Sequence, residues 1–327
     1  MKLLVIGGTS FVGRHIVEQA LHNGHEVVLF NRGKTNPDLF PACRRIFGER
    51  QIHIDQAAHE QWDAVIDTSG YTPNDMKPVI EALREKTNHF TFISTVSVYD
   101  DHSKGDVHET SSQFNHTVTT NEVTGETYGP LKVMCEKAVL DGFGDKALIV
   151  RPCIIVGPHD PTDRFTYWAM RTIENGPIAI PGGDRKIQWI DVRDLAIWII
   201  KMIEVNGTGT FNAASSPRSF ESFIDELTTQ RETEKVLIPD TVMLKTELDA
   251  HQRFPFWIPI SEQFPQGFFI VDASKAVDAG LSIRPLDETA EDTRDWASHL
   301  NSETCKAGPT KEMENLLIEK AIENLVK

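Results

Sequence analysis

The chain opens on Lys2-Leu-Leu-Val-Ile6, a short apolar run, and passes at once into Gly7-Gly-Thr-Ser-Phe-Val-Gly13. From Arg14 to Asn23 the apolar residues Ile16, Val17, Ala20 and Leu21 recur at helical spacing. Strand, glycine turn and helix in that order leave few folds open. Such a turn lets backbone N–H groups at a helix start approach a pyrophosphate, which a Cβ would obstruct and which the positive end of the helix dipole attracts. Gly7, Gly8, Thr9, Ser10, Phe11, Val12 and Gly13 are therefore candidate cofactor residues. A second strand, Glu26 to Phe30, completes a βαβ rhythm. The expected class is α/β, a doubly wound parallel sheet.

A second constellation is Tyr128-Gly-Pro-Leu-Lys132. Residues four apart share one face of a helix, so a phenol and an ammonium stand together. An ammonium beside a tyrosine favours the phenolate and lowers its pKa from about 10 toward the pH of a general acid or base. Pro130 falls in the first turn if Thr127 caps the helix, where a missing N–H removes no helical hydrogen bond. A third segment, His89-Phe-Thr-Phe-Ile-Ser-Thr-Val-Ser-Val-Tyr99, is β-rich and ends in hydroxyls. Strand ends of an open parallel sheet face the ligand crevice, where a Ser or Thr can bond a substrate oxygen.

In this order the motifs resemble the extended short-chain dehydrogenase/reductases, which include the NAD-dependent epimerases and dehydratases. The resemblance runs over nearly the whole chain. Gly7 to Gly13 is similar to the family's opening, Ser94-Thr-Val-Ser-Val-Tyr99 to its fifth strand, and Tyr128-x-x-x-Lys132 to its catalytic helix. Arg151-Pro-Cys-Ile-Ile-Val-Gly-Pro158 and Gln188-Trp-Ile-Asp-Val-Arg-Asp194 resemble two later family segments. Ser10 stands where the usual fingerprint has glycine, as in the atypical Gly-Gly-Thr-x-Phe-x-Gly members, among them chloroplast RNA-binding relatives.

The resemblance implies a Rossmann fold with a smaller C-terminal substrate-binding lobe. Residues 1–150 would form the NAD(P)-binding domain, and 151–327 the remaining strands and the lobe, interleaved. It implies Thr95, Tyr128 and Lys132 as the catalytic set, Thr95 being four residues before Tyr99, and puts Ser94, Tyr128, Lys132 and Pro152 among the cofactor contacts, Lys132 on the nicotinamide ribose. Gly48-Glu-Arg50 resembles the family's turn against the adenine, with Glu49 available to the exocyclic amine and Arg50 beside it. Thr68, Ser69 and Gly70 would cross the pyrophosphate and ribose region.

Cofactor choice is read at the end of the second strand, where an acid bonds the ribose 2′-hydroxyl in NAD-preferring folds. Asn31 stands there, with Arg32 next and Lys34 close behind. Cations without a carboxylate favour NADP, with NAD left open. Tyr71, Ser97, His159, Arg164, Tyr167 and Trp168 are candidate substrate contacts.

Composition agrees with an enzyme for a small-molecule substrate. A formal net charge of −15 opposes a polyanionic partner, so no nucleic acid is expected. The start MKLLVIGG is too short for a secretory core, and no apolar stretch reaches membrane-span length, which makes the cytoplasm the expected compartment. Cys43, Cys135, Cys153 and Cys305 are scattered without metal-ligand spacing, so no metal is expected. A homodimer is left open. The run Ser103 to Thr127 is a polar loop beside the site, and residues 219–265 are expected to cap the substrate pocket. Tyr128 would exchange a proton with an alcohol or carbonyl of a small substrate, sugar-like (nucleotide-sugar) substrates among them, while hydride moves to or from nicotinamide, in a reductase or an epimerase; a catalytically silent NAD(P)-binding or RNA-associated protein is the alternative.

Overall fold

The computed structural model describes residues 1–103, 105, 107–183, 185–228, 233–246, 253–262, 264–268, 270–300 and 305–325. The first six strands are β1 (Lys2–Ile6), β2 (Glu26–Asn31), β3 (Arg44–Phe47), β4 (Ala64–Asp67), β5 (Phe90–Ile93) and β6 (Ala147–Pro152). Short strands β7 (Ile154–Val156), β8 (Ile178–Gly182), β9 (Lys186–Ile187) and β10 (Trp189–Asp191) precede β11 (Gly209–Ala213). Seven of these form one sheet in the order β3-β2-β1-β4-β5-β6-β11, with every neighbouring pair parallel.

Alternation along β1 explains why the sheet is covered on both faces. Leu3 and Val5 join a core built with Ile16, Val17 and Ala20 of α1 (Phe11–His22) and with Leu195 and Ile199 further along the chain. Leu4 and Ile6 join the opposite core, packed by residues of two later helices. After the single turn α2 (Arg50–His53), these are α3 (Pro73–Leu83), which gives Met76, Val79 and Leu83, and α4 (Tyr128–Phe143), which gives Cys135, Val139 and Phe143. Thr72 starts α3 with a capping box: Asp75 N donates to Thr72 Oγ1 and Asp75 Oδ2 accepts from Thr72 N.

Beyond the sheet, α5 (Arg164–Arg171), α6 (Val192–Glu204), β12 (Arg218–Ser219), α7 (Phe220–Leu227), β13 (Lys235–Pro239), α8 (Asp240–Lys245), α9 (Ser274–Asp278), α10 (Leu286–Ser298) and α11 (Lys311–Leu325) complete the described elements. A third apolar cluster joins Phe165 and Trp168 of α5, Ile180 of β8, Phe223 of α7, Phe254 and Leu317. Among the described residues no helix is long and apolar enough to cross a membrane.

One run is broken and one expected element differs. Between Lys186 and Asp191 the chain breaks at Gln188, whose Nε2 donates to Ser215 O and Val271 O while its Oε1 accepts from Val271 N. The halves take different partners, β9 with antiparallel β12 and β10 with parallel β7. The segment expected to run as strand to Tyr99 stops at Ile93, and Thr95 caps a single 3₁₀ turn, Val96–Val98, by accepting from Ser97 N.

Candidate active site

The sheet order reverses between β1 and β4, and a crevice opens there beyond the carboxyl ends of the strands. The cleft has a volume of about 760 Å³ and is lined by Gly7, Gly8, Thr9, Ser10, Phe11, Val12 and Gly13 at one end. Glycine is required where the turn folds on itself. Gly7 and Gly8 have φ of 104° and 85°, and a Cβ on Gly13 would lie 2.8 Å from Gly8 N. Phe11 enters the helix at φ 30°, in the left-handed region that side chains avoid. Asparagines tie the turn down from outside: Asn31 Nδ2 donates to Gly7 O at 3.1 Å and Asn36 Nδ2 to Thr9 O at 2.7 Å. A cradle that a Cβ would fill fits a pyrophosphate.

Arg32 and Lys34 reach the rim of the same end, both exposed. Lys34 Nζ is 4.0 Å from Glu49, whereas Arg32 makes no ion pair among the described residues. Arg50 also borders the cleft, but its guanidinium turns inward: it forks onto Asp67 at 2.8 and 3.1 Å and onto Ser69 Oγ at 2.5 Å. Asp67 holds that buried cation charged against the cost of desolvation. Thr68 and Ser69 line the cleft; Gly70 does not, and serves instead through its carbonyl.

That carbonyl belongs to the setting of Lys132. Its Nζ donates to Gly70 O at 2.9 Å and to Ile93 O at 2.6 Å, and lies 4.2 Å from the Phe92 ring centre. Burial lowers the ammonium's pKa to about 8, with Cys135, Asp67 and Glu136 resisting and Arg50 assisting. Thr95, Ser94, Tyr128, Lys132 and Pro152 all line the cleft. The structure corrects the expected tuning of the phenol: burial raises the Tyr128 pKa, and the opposing influences are a hydrogen bond with Thr95 and the charge of Arg164, not Lys132. The ammonium is spent on two carbonyls, and desolvation of the phenol outweighs the rest.

Gly129 explains how the helix comes so near. A Cβ there would lie 2.2 Å from Ser97 O, so only glycine lets the first turn of α4 rest on the 3₁₀ turn after Thr95. One turn beyond Lys132, Glu136 continues the stripe inward. It accepts from Ser94 Oγ and, on both carboxylate oxygens, from Arg151. Arg151 Nη1 donates to Tyr99 Oη at 2.8 Å, which donates to Asn212 Oδ1 at 2.7 Å. This network staples the ends of β5, β6 and β11 to α4.

Of the expected substrate contacts, Tyr71, Ser97 and Arg164 line the cleft, and the Tyr71 and Tyr128 rings are 6.5 Å apart. The other three do not. His159 has φ 68°, which turns its ring away to Arg14 Nη1 at 3.1 Å and to the Trp296 ring. Tyr167 and Trp168 belong to the core of the third cluster, where Trp168 Nε1 donates to Pro255 O. Sequence reasoning gave no site role to the cleft residues Cys153, Ile154, Ile155 and Thr162. Their place after β6 was the available signal.

A parallel sheet with a glycine turn at its switch point defines a class, the dinucleotide-binding α/β proteins. A sequence model of the NAD dependent epimerase/dehydratase family matches residues 3–214, and the chain belongs to that family. That family is of the short-chain dehydrogenase/reductase type. Solved structures with the same fold include a putative epimerase from Burkholderia cenocepacia (19% identical, 90% of this chain and 97% of that one, TM-score 0.68). They also include the UDP-Glc/GlcNAc 4-epimerase of Campylobacter jejuni (18% identical, 91% and 99%, TM-score 0.67). A third is the UDP-glucuronic acid 4-epimerase of Bacillus cereus in complex with NAD (19% identical, 92% and 100%, TM-score 0.65). A curated relative, the chloroplast stem-loop binding protein of 41 kDa b of Arabidopsis thaliana, is 24% identical over 231 residues, 62% of this chain; the match spans about half, 55%, of that protein's length.

Proposed function

We propose that the chain is an NAD(P)-dependent oxidoreductase or epimerase that moves hydride to or from one carbon of a small alcohol or carbonyl compound, sugar-like compounds included. The supporting observation is convergence: Thr95, Tyr128 and Lys132 border the same cleft that the glycine turn opens. NADP is the favoured cofactor, because Arg32 and Lys34 offer charge at the rim and the side chain of Asn31 is committed to the backbone of Gly7 and Gly33. Gly7 to Gly13 would hold the pyrophosphate, and Ser94 and Pro152 would border the nicotinamide.

When bound, the nicotinamide supplies or accepts hydride. The chain's own work is the proton. In the reducing direction the Tyr128 hydroxyl gives its proton to the substrate oxygen as the carbon takes up hydride; in the oxidising direction the phenolate takes it back. Thr95 bonds that oxygen and orients it. A phenol raised by burial is protonated at neutral pH, which suits the reducing direction in the free enzyme. Lys132, fixed by two carbonyls, places a positive end beneath the site.

Titration with NADPH and NADH by nicotinamide fluorescence, on wild type and Arg32→Ala, tests the cofactor. NADPH should bind more tightly and lose about tenfold selectively in the variant, ~1.4 kcal/mol; a preference for NADH overturns the NADP assignment. Tyr128→Phe should lower kcat by about 10²–10⁴-fold with cofactor affinity unchanged, and equal turnover overturns its role. The printed name of the Arabidopsis relative supports a second reading, a catalytically silent RNA-associated protein. A net charge of −15 weighs against it, and a gel shift with structured RNA at moderate salt should show no complex.

A further inference from the structure

We propose that Ile154 determines substrate preference, and that the substrate carries an aliphatic or aromatic group facing it in place of a nucleotide diphosphate. This rests on the hydride-transfer reading above. Ile154 follows Cys153 directly beyond β6 and stands in the wall of the cleft. It also lines a second cavity of about 20 Å³, together with Ile187, Phe256, Ile258, Phe268 and Ile270. One half-buried side chain therefore separates the cleft from an apolar chamber with room for about one water or methyl group.

Of the polar residues around that chamber, Arg185 and Gln188 bond to the main chain, with Arg185 Nε left buried and unpartnered among the described residues, and Lys186 is exposed. Arg185 donates to Pro265 O at 3.0 Å and to Phe264 O at 2.8 Å. Gln188 is held at both ends of its amide by Ser215 and Val271. Beside them the chamber is walled by the hydrocarbon of Ile154, Ile187, Phe256, Ile258, Phe268 and Ile270. Burial pushes the Cys153 thiol well above its ordinary pKa, so it adds no charge to the wall. Ile155 extends the aliphatic surface along the cleft.

Cations divide unevenly along the cleft. Among the described lining residues, Arg32 and Lys34 stand at the cofactor end, Arg50 is forked onto Asp67 and Lys132 is buried on two carbonyls. Arg164 alone remains beyond Tyr128, with its Nε donating to Thr162 Oγ1 at 3.0 Å and its guanidinium 5.9 Å from the Phe256 ring centre. One guanidinium suits a single carboxylate or carbonyl. A diphosphate gains most from several charge-assisted donors, and this wall offers it isoleucines.

The test measures binding in the complex with NADP⁺, where a ketone has no hydride to accept and affinity reads the pocket apart from the chemistry. Calorimetry would compare a homologous series of methyl ketones with UDP-glucose, on wild type, Ile154→Ala, Ile154→Val and Ile154→Phe. Affinity should rise about three- to fourfold per added methylene until the wall is met. The chain length at which it levels should lengthen in the alanine variant, lengthen less in the valine variant and shorten in the phenylalanine variant, with UDP-glucose bound more weakly than the best ketone. Tighter binding of UDP-glucose than of every ketone, or one chain-length profile in all variants that retain NADP⁺ affinity, overturns the inference. Failure of the hydride-transfer reading has a different signature: ketones that bind yet support no NADPH oxidation.

Discussion

Glu136 grips Arg151 with both carboxylate oxygens, at 2.9 Å from Nε and 2.6 Å from Nη2, in a setting where both side chains are almost wholly buried. A buried pair is worth little against a well-packed apolar replacement, but removing one partner strands the other's charge. Glu136→Gln should therefore cost about 3–5 kcal/mol in urea denaturation. An unchanged midpoint would show that Arg151 has another way to be satisfied.

Lys132 gives a prediction in pH. It titrates near 8 in the folded chain against 10.5 for the ordinary side chain. Between these values the unfolded chain holds a proton that the folded chain has released, so stability rises with pH across the window. Lys132→Met removes that slope. Unfolding free energy of wild type minus variant should be flat below pH 8 and climb toward pH 10.5; a difference independent of pH would refute the lowered pKa. In the wild type, kcat/KM should decline above about pH 8 where it needs the ammonium.

Gly129→Ala tests how closely the helix must lie on the turn after Thr95. The new methyl would meet Ser97 O, and relieving that contact pushes Tyr128 away from Thr95. Overpacking should cost about 1–3 kcal/mol of stability. A misplacement near an ångström can lower turnover by about 10²-fold. Cofactor affinity, if set chiefly by the glycine turn beyond β4, should stay within a factor of about two.

Gly13→Val separates the cradle from the rest. Its Cβ would lie 2.8 Å from Gly8 N, forcing the turn apart where the pyrophosphate should sit. The expected result is loss of NADPH fluorescence enhancement with the circular dichroism spectrum retained. Undiminished binding would mean that the turn is not the phosphate cradle.

The amino-terminal strand, turn and helix were legible because they are local: apolar alternation, then glycines, then helical spacing. Tyr128 and Lys132 were legible for the same reason, since one helix face brings them together. Glu136 lies on that same face and escaped notice, because a helical glutamate reads as a solvated one until the residues across the sheet are known. Its partner Arg151 is on the next strand, and Ser94 lies just past the end of the one before. His159, Tyr167 and Trp168 were misplaced by proximity along the chain. A left-handed backbone at His159 and a ring of phenylalanines around Trp168 decide where those side chains point, and neither is written in the local sequence. The inward fork of Arg50 onto Asp67 is likewise a contact between a helical turn and a strand, seventeen residues apart.

The order β3-β2-β1-β4-β5-β6-β11 also sets a timetable for a chain emerging from the ribosome. When Lys132 has been delivered, the strands that carry the glycine turn and their neighbours β2, β3, β4 and β5 already exist, yet Pro152, Ile154 and Arg164 have not been made. Amino-terminal units fold first during synthesis. A chain of this design thus completes the glycine-turn half of the cleft in synthesis before the residues of the opposite wall are made.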